Sequence, residues 1–172
     1  MLILIYIGGF MNKLNFRIGI GYDLHRLEDN RDLIIGGIKI PYEKGLLGHS
    51  DADVLTHAII DALLGAAALP DIGTIFPDTD ERFKNADSIE LLKQVSSMVK
   101  EKGYLINNID SNIIAQAPKM MPYIPLMKEK LASVLELNTE DISIKAKTKE
   151  HLDAVGEKKA IEAQAVVLVY KI

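Results

Sequence analysis

The sequence predicts an α/β fold, an α+β sandwich in which helices cover one face of a single mixed β-sheet. Three observations predict it. Strand-like runs with alternating apolar residues occur at 16–24, 104–116, 142–148 and 162–172. Helix-like segments at 53–69, 88–102 and 122–137 fall between them. The chain has 172 residues, 48% of them hydrophobic, which suits one compact domain with a real core.

Taken in order, residues 16–24, FRIGIGYDL, alternate as a half-buried strand does. Residues 33–40, LIIGGIKI, set Gly36 and Gly37 between two apolar runs and read as a hairpin around a tight turn. Residues 45–48 read as loop. The helix over 53–69 is rich in Ala and Leu, with Ser50 or Asp51 as its cap and Pro70 as its end. Residues 71–84, DIGTIFPDTDERFK, read as a polar connection. Asp87 caps the helix over 88–102 and Gly103 stops it. A strand, a third helix and two strands complete the chain. If the uncovered sheet face is also apolar, an oligomer is the natural way to bury it.

Charge and composition exclude several functions. Twenty-four acidic residues against twenty basic ones leave a net charge of -4, unlike a protein that coats nucleic acid. With no cysteine, disulfides, thiolate metal sites and cysteine nucleophiles are ruled out. The absence of cysteine fits a cytosolic protein, and an N-terminus unlike a transit peptide puts the cytoplasm of a bacterium ahead of a plastid. Residues 1–15 read as an N-terminal extension, either not native, with Met11 as the true start, or disordered, and the domain occupies 16–172. The opening apolar run, residues 1–7, is far shorter than the roughly 20 residues that span a bilayer, so no membrane partner is expected.

Five short stretches offer chemistry. In GYDLHRL, Asp23 and His25 are two apart and share one face of an extended chain. His57 lies on a helix one turn from both Asp53 and Asp61. If the strand end lies beside that helix, Asp23, His25 and His57 form a three-ligand set with an open fourth position, the catalytic form of a zinc site. Asp53 or Asp61 would then orient His57. A satisfied structural His–Asp pair reads the same residues equally well. His49 and Ser50 precede a helix start, suited to an anion or to ordinary capping. In FPDTD, Asp78 and Asp80 offer carboxylates to hydroxyls, or form an exposed turn. AQAPKMM combines small residues with an adaptable methionine wall suited to a flat base, or is a plain connection. In KAKTKE, Thr148 offers a hydroxyl to phosphate and Glu150 a ligand to a hard cation, or the run is a solvated charge cluster.

Taken together, GYDLHRL, the long run from IPYEKGLLGHSDADV to IFPDTD, and IIAQAPKM closely resemble the 2-C-methyl-D-erythritol 2,4-cyclodiphosphate synthase family. The resemblance runs from residue 16 to the C-terminus. It implies a homotrimer of α/β subunits, with active sites between neighbours and the second sheet face packed inside. It implies cyclisation of 4-diphosphocytidyl-2-C-methyl-D-erythritol 2-phosphate to the 2,4-cyclodiphosphate with release of CMP. Asp23, His25 and His57 match zinc ligands, and Glu150 matches the ligand of a second cation, magnesium or manganese. His49 and Ser50 match residues at the methylerythritol phosphate, Asp78 the carboxylate at the erythritol hydroxyls, and Asp71 and Gly73 the ribose positions. Ala115, Pro118, Lys119, Met120 and Met121 match the cytidine pocket, and Thr148 matches a phosphate-binding threonine.

The last third departs from the family pattern. Lys147 stands where a second phosphate-binding hydroxyl is usual, Ala154 at the usual Phe, and Glu157 at the usual Arg. In the family the latter two positions line a central channel that holds isoprenoid diphosphates. A glutamate there repels a diphosphate, so this protein is expected to lack that site or to hold it in weakened form. Saturable binding of geranyl or farnesyl diphosphate, lost on mutating channel residues, contradicts the expectation.

Overall fold

The structure, a computed structural model, describes residues 15–172. Apart from Asn15, the extension read at 1–15 lies outside the described residues. The expected α/β class holds. A five-stranded sheet has the order β4-β1-β7-β5-β6, built from β1 (Phe16–Asp29), β4 (Lys44–Leu47), β5 (Tyr104–Ile114), β6 (Ile142–Lys147) and β7 (Ala160–Lys171). It is mixed, because β5 and β6 are parallel while the other pairs are antiparallel. The parallel pair is joined by a crossover containing α4 (Ile124–Leu135). A separate hairpin joins β2 (Leu33–Ile35) to β3 (Ile38–Ile40), and its two turn glycines have φ of 59° and 71°.

β1 runs past residue 24 because it has two partners in succession. β7 pairs with it from Phe16 to Arg26, and β4 takes over from Arg26 to Asp29. The loop expected at 45–48 is thus mostly strand. Gly45 and Gly48 give no local strand preference there, and the order comes from pairing with β1. The polar connection also contains a short helix, α2 (Ile72–Ile75), and a 3₁₀ turn over Glu81–Phe83. A further short helix, α5 (Asp153–Gly156), precedes β7.

The helices α1 (Val54–Ala66), α3 (Ser88–Glu101) and α4 cover one sheet face. α1 lies directly across β1, and glycine permits the approach. A Cβ on Gly19 would stand 1.8 Å from the Ala62 carbonyl oxygen, and one on Gly21 would stand 1.9 Å from that of Ala58. With strand alternation, Asp23 and His25 follow on the same inward face. Outward-facing residues of β1 are apolar and uncovered: Ile18 is 73% exposed and Ile20 76%, beside Phe16, Tyr22 and Leu24.

The cap of α1 is Asp53, not Ser50 or Asp51. Its fully buried carboxylate accepts from Thr56 N at 3.0 Å and Thr56 Oγ1 at 2.7 Å. It also accepts from Gly36 N at 2.8 Å and Gly37 N at 2.6 Å. One side chain therefore caps the helix and ties down the hairpin turn. Burial pushes its carboxyl up, and these four donors oppose the shift. Asp53→Ala removes the acceptor and strands the donors. It is expected to lower unfolding free energy by about 3 kcal/mol or more, measured by urea denaturation. A loss below about 1 kcal/mol, the scale of an ordinary cap, contradicts this role.

Candidate active site

Asp23 and His25 at the inner end of β1 meet His57 on α1. Asp23 Oδ2 lies 2.9 Å from His25 Nε2 and 2.9 Å from His57 Nδ1. The two ring nitrogens are 3.2 Å apart. His25 Nδ1 donates to the Leu47 carbonyl at 2.9 Å, so in the neutral ring Nε2 is the nitrogen left to bind a cation at the centre. β4 therefore supplies the partner that orients this ring.

These residues fit a divalent cation. The three donor atoms lie mutually within reach of one ion. In a tetrahedral site with bonds near 2.05 Å, ligand atoms stand roughly 3.3 Å apart, close to the spacing seen here. Two imidazole nitrogens and one carboxylate oxygen leave a fourth position open.

The electrostatics also favour a tight pair. Burial raises the Asp23 carboxyl, but hydrogen bonds and charge from His25 and His57 outweigh it and hold the group well below the usual range. Burial lowers the His57 imidazole, but the Asp23 hydrogen bond and charge, with Asp53 and Asp51 behind, bring it above its ordinary value.

A cleft of about 440 Å³ opens beside the triad. It is lined by the expected His49, Ser50, Gly73 and Asp78 together with Asp23, His25 and His57. His49 Nε2 is held at 3.2 Å from the Asp80 carbonyl. Asp71 does not line the cleft. It is exposed and caps α2, accepting from Thr74 N at 2.8 Å. Phe76, Phe83 and Leu91 add an apolar wall that sequence reasoning missed, since they come from three separate elements.

Neither residue expected to orient His57 does so. Asp53 is committed to the hairpin and helix cap. Asp61 accepts from Ile72 N at 2.8 Å, fixing the start of α2, and burial raises its carboxyl. His57 Nε2 instead faces Ser88 Oγ at 2.8 Å and Ser50 Oγ at 3.2 Å. Ser88 opens α3, and in the sequence it looks like any serine at a helix start.

A second pocket of about 330 Å³ lies at the other side of the sheet order. Ala115, Pro118, Lys119, Met120, Met121 and Thr148 line it, together with Gln116, Ala117, Ala146 and Lys147. Thr148 Oγ1 donates to Glu150, which is exposed and outside the lining. The register Asp23↔Ala163↔Ile113↔Ala146 puts three strand spacings between the triad and this pocket, roughly 14 Å. Within one chain the two sets do not share a cleft.

Fold and site define an α/β protein with a two-histidine, one-carboxylate candidate metal centre. Comparison with known proteins narrows this. The chain belongs to the YgbB family, whose model matches residues 16–170. The 2-C-methyl-D-erythritol 2,4-cyclodiphosphate synthase of Clostridium tetani is 59% identical over 155 residues, 90% of this chain and 98% of that protein. Among solved structures, a Plasmodium falciparum IspF in complex with CDP superposes with a TM-score of 0.81 at 37% identity, covering 92% of this chain and 98% of that one. The bifunctional IspDF of Campylobacter jejuni superposes with a TM-score of 0.88 at 41% identity, covering 91% of this chain and 42% of that one.

The raised His57 pKa sets a pH dependence. In metal-free protein its pairing with Asp23 adds stability that is complete below about pH 6.5 and is lost as pH rises through the raised value. Asp23, with its depressed carboxyl, adds stability lost only as pH falls below about 4. A bound metal reverses the first slope, because it must displace the His57 proton. Thermal unfolding of wild type and His57→Gln is expected to converge at alkaline pH in chelator. With zinc the difference is expected to widen with pH. Parallel profiles in the two conditions contradict the assignment.

Proposed function

We propose that this chain cyclises 4-diphosphocytidyl-2-C-methyl-D-erythritol 2-phosphate to 2-C-methyl-D-erythritol 2,4-cyclodiphosphate and releases CMP, acting as a phosphorus–oxygen lyase of isoprenoid biosynthesis. The observation that carries the reading is the convergence of Asp23, His25 and His57 beside His49, Ser50 and Asp78 in one cleft. It occurs in a chain 59% identical to a synthase of that name.

In the proposed reaction an oxygen of the 2-phosphate forms a bond to the β phosphorus. The bond from that phosphorus to the oxygen bridging it to the α phosphate breaks, and CMP departs with the bridging oxygen. Attacker and electrophile are both anionic, so positioning and charge neutralisation are the catalytic problem. Asp23, His25 and His57 would hold zinc and Glu150 would hold magnesium or manganese, cations whose positive charge would screen the phosphates. His49 and Ser50 bind and orient the 2-phosphate end from the mouth of α1. Asp78 accepts hydrogen bonds from the erythritol hydroxyls. Ala115, Pro118, Lys119, Met120 and Met121 hold the cytosine, and Asp71 and Gly73 the ribose. Thr148 donates to a diphosphate oxygen, and Lys147 adds a point charge in place of a hydroxyl.

The proposal includes a homotrimer joined through the uncovered face of β1, so that the cleft of one chain lies against the second pocket of its neighbour. The roughly 14 Å between the pockets supports this, as does the exposed apolar row. Among the described residues no helix is long and apolar enough to cross a membrane. A cytoplasmic location in a bacterium is part of the proposal, supported by the cysteine-free composition and by bacterial relatives such as that of Clostridium tetani.

Incubation of purified protein with the cytidyl 2-phosphate substrate and magnesium or manganese, followed by phosphorus NMR, is expected to yield CMP and a cyclic diphosphate. His57→Ala is expected to abolish both products. A linear phosphate with CMP contradicts cyclisation and marks a hydrolase. No turnover by an intact, zinc-loaded trimer contradicts catalysis altogether.

A further inference from the structure

The last two carbonyls of β4 face opposite ways, and a side chain meets each. Leu27 N donates to the Lys159 carbonyl, just before β7, so Leu27 and its partner Leu46 form a pair without mutual hydrogen bonds. The Leu46 carbonyl therefore points away from β1. It faces the open edge of the sheet, because β4 is an edge strand. The next carbonyl, of Leu47, points back toward β1 and accepts from His25 Nδ1 at 2.9 Å. The β1–β4 ladder ends at Leu47, and Gly48, His49 and Ser50 run along the cleft outside it.

Arg31 holds the open side. Its Nε donates to the Leu46 carbonyl at 2.7 Å and its Nη2 to the Ser50 carbonyl at 3.4 Å. Leu47, Gly48 and His49 lie between these two contacts. The backbone behind the side chain is seated on β4 as well: a Cβ on Gly45 would stand 2.2 Å from the Asp32 carbonyl oxygen. A planar guanidinium donates in two directions at a fixed spacing, whereas an ammonium is a point charge. On the other flank Asn85 N donates to the His49 carbonyl at 2.8 Å, and Asp51 N donates to the Ala86 carbonyl at 3.1 Å.

We propose that Arg31 is a positioning residue whose fork fixes the segment from Leu46 to Ser50. That segment aims the Leu47 carbonyl at His25 and sets His49 and Ser50 at the cleft. The proposal rests on the reading of this cleft as the metal and 2-phosphate site. It gives the two neighbouring carbonyls separate duties: Leu46 receives the anchor, and Leu47 orients the metal ligand.

Two variants test it. Arg31→Met removes fork and charge, and Arg31→Lys keeps the charge alone. Amide hydrogen exchange of the metal-free protein reads the segment at Asp51 N–H. Both variants are expected to speed it about 10-fold or more, the scale of one hydrogen bond to a charged group. Central amides of β5 and β7, which report the fold, are expected to exchange as in wild type. In chelator competition both variants are expected to weaken zinc binding by about 3–10-fold. This is less than the roughly 10–100-fold for a direct partner of a metal-ligating histidine, because Arg31 acts through Leu47. With the cytidyl 2-phosphate substrate both are expected to lower kcat about 10-fold or more, as misplacement of a reacting group does, with CMP affinity unchanged. Wild-type exchange and kcat in Arg31→Lys would mean that charge alone suffices, and would overturn the proposal. Unchanged Asp51 exchange or unchanged zinc affinity in both variants also overturns it, as does faster exchange throughout β5 and β7. Absence of turnover in wild type overturns the reading of function instead, while exchange and zinc affinity still decide the role of Arg31.

Discussion

The contact on which the site depends is backbone against backbone. Gly19 and Gly21 let β1 lie so near α1 that any side chain at either position would occupy the space of a helix carbonyl. That approach sets the distance between every later inward residue of β1 and the helix. Asp23 follows two residues after Gly21, and His57 precedes Ala58, whose carbonyl Gly21 touches. With strand and helix this close, the short side chain of Asp23 reaches the His57 ring at 2.9 Å. A wider gap, as between ordinary packed side chains, would separate the donors and leave a half-buried carboxylate unpaired, at a cost. The small residues of α1, Ala58 and Ala62, belong to the same arrangement: they keep the helix surface shallow where the strand crosses it.

Around that contact, carboxylates divide the work. Asp53 holds the start of α1 and the glycine turn. Asp61 holds α2, which brings Gly73 and Phe76 to the cleft. Asp51 reaches across to α3 through Ser88. Each ties a different element to α1 or to the segment leading into it, so several segments that line the cleft are fixed by hydrogen bonds along it. This explains why a segment as acidic as HSDAD tolerates burial: its charges are matched by N–H and O–H donors. Rigid anchoring also suits the chemistry proposed, in which placement of two anionic groups matters more than a strong base.

Much of this was legible in the chain. Alternation gave the long strands, and Pro70, Asp87 and Gly103 marked helix limits. The spacing Asp23-x-His25 placed both groups on one face, helix position named His57 as a third ligand, and the family resemblance chose the metal reading over a structural pair and gave roles to His49, Ser50 and the second pocket. Features that depend on distant partners were not legible. β4 is a strand because β1 extends to meet it. Asp53 caps α1 instead of Ser50 or Asp51 because the hairpin turn supplies two further donors. Asp61 sits one helical turn from His57, yet its partner is Ile72 N, a choice set by the path of the chain after Pro70. Ser88 resembles a routine helix-start serine until α3 is laid against α1. In each case local pattern named the residue type correctly, and tertiary contacts decided its use.

The claim at the centre of the account is that these three side chains, brought together by the glycine contact, form one metal centre. Anomalous diffraction at the zinc edge from zinc-loaded crystals tests it most directly. The account predicts a peak bonded to an Asp23 carboxylate oxygen, His25 Nε2 and His57 Nδ1, at about 2.0–2.2 Å from each. A peak elsewhere with this site vacant, or one bonded through His57 Nε2, would contradict it.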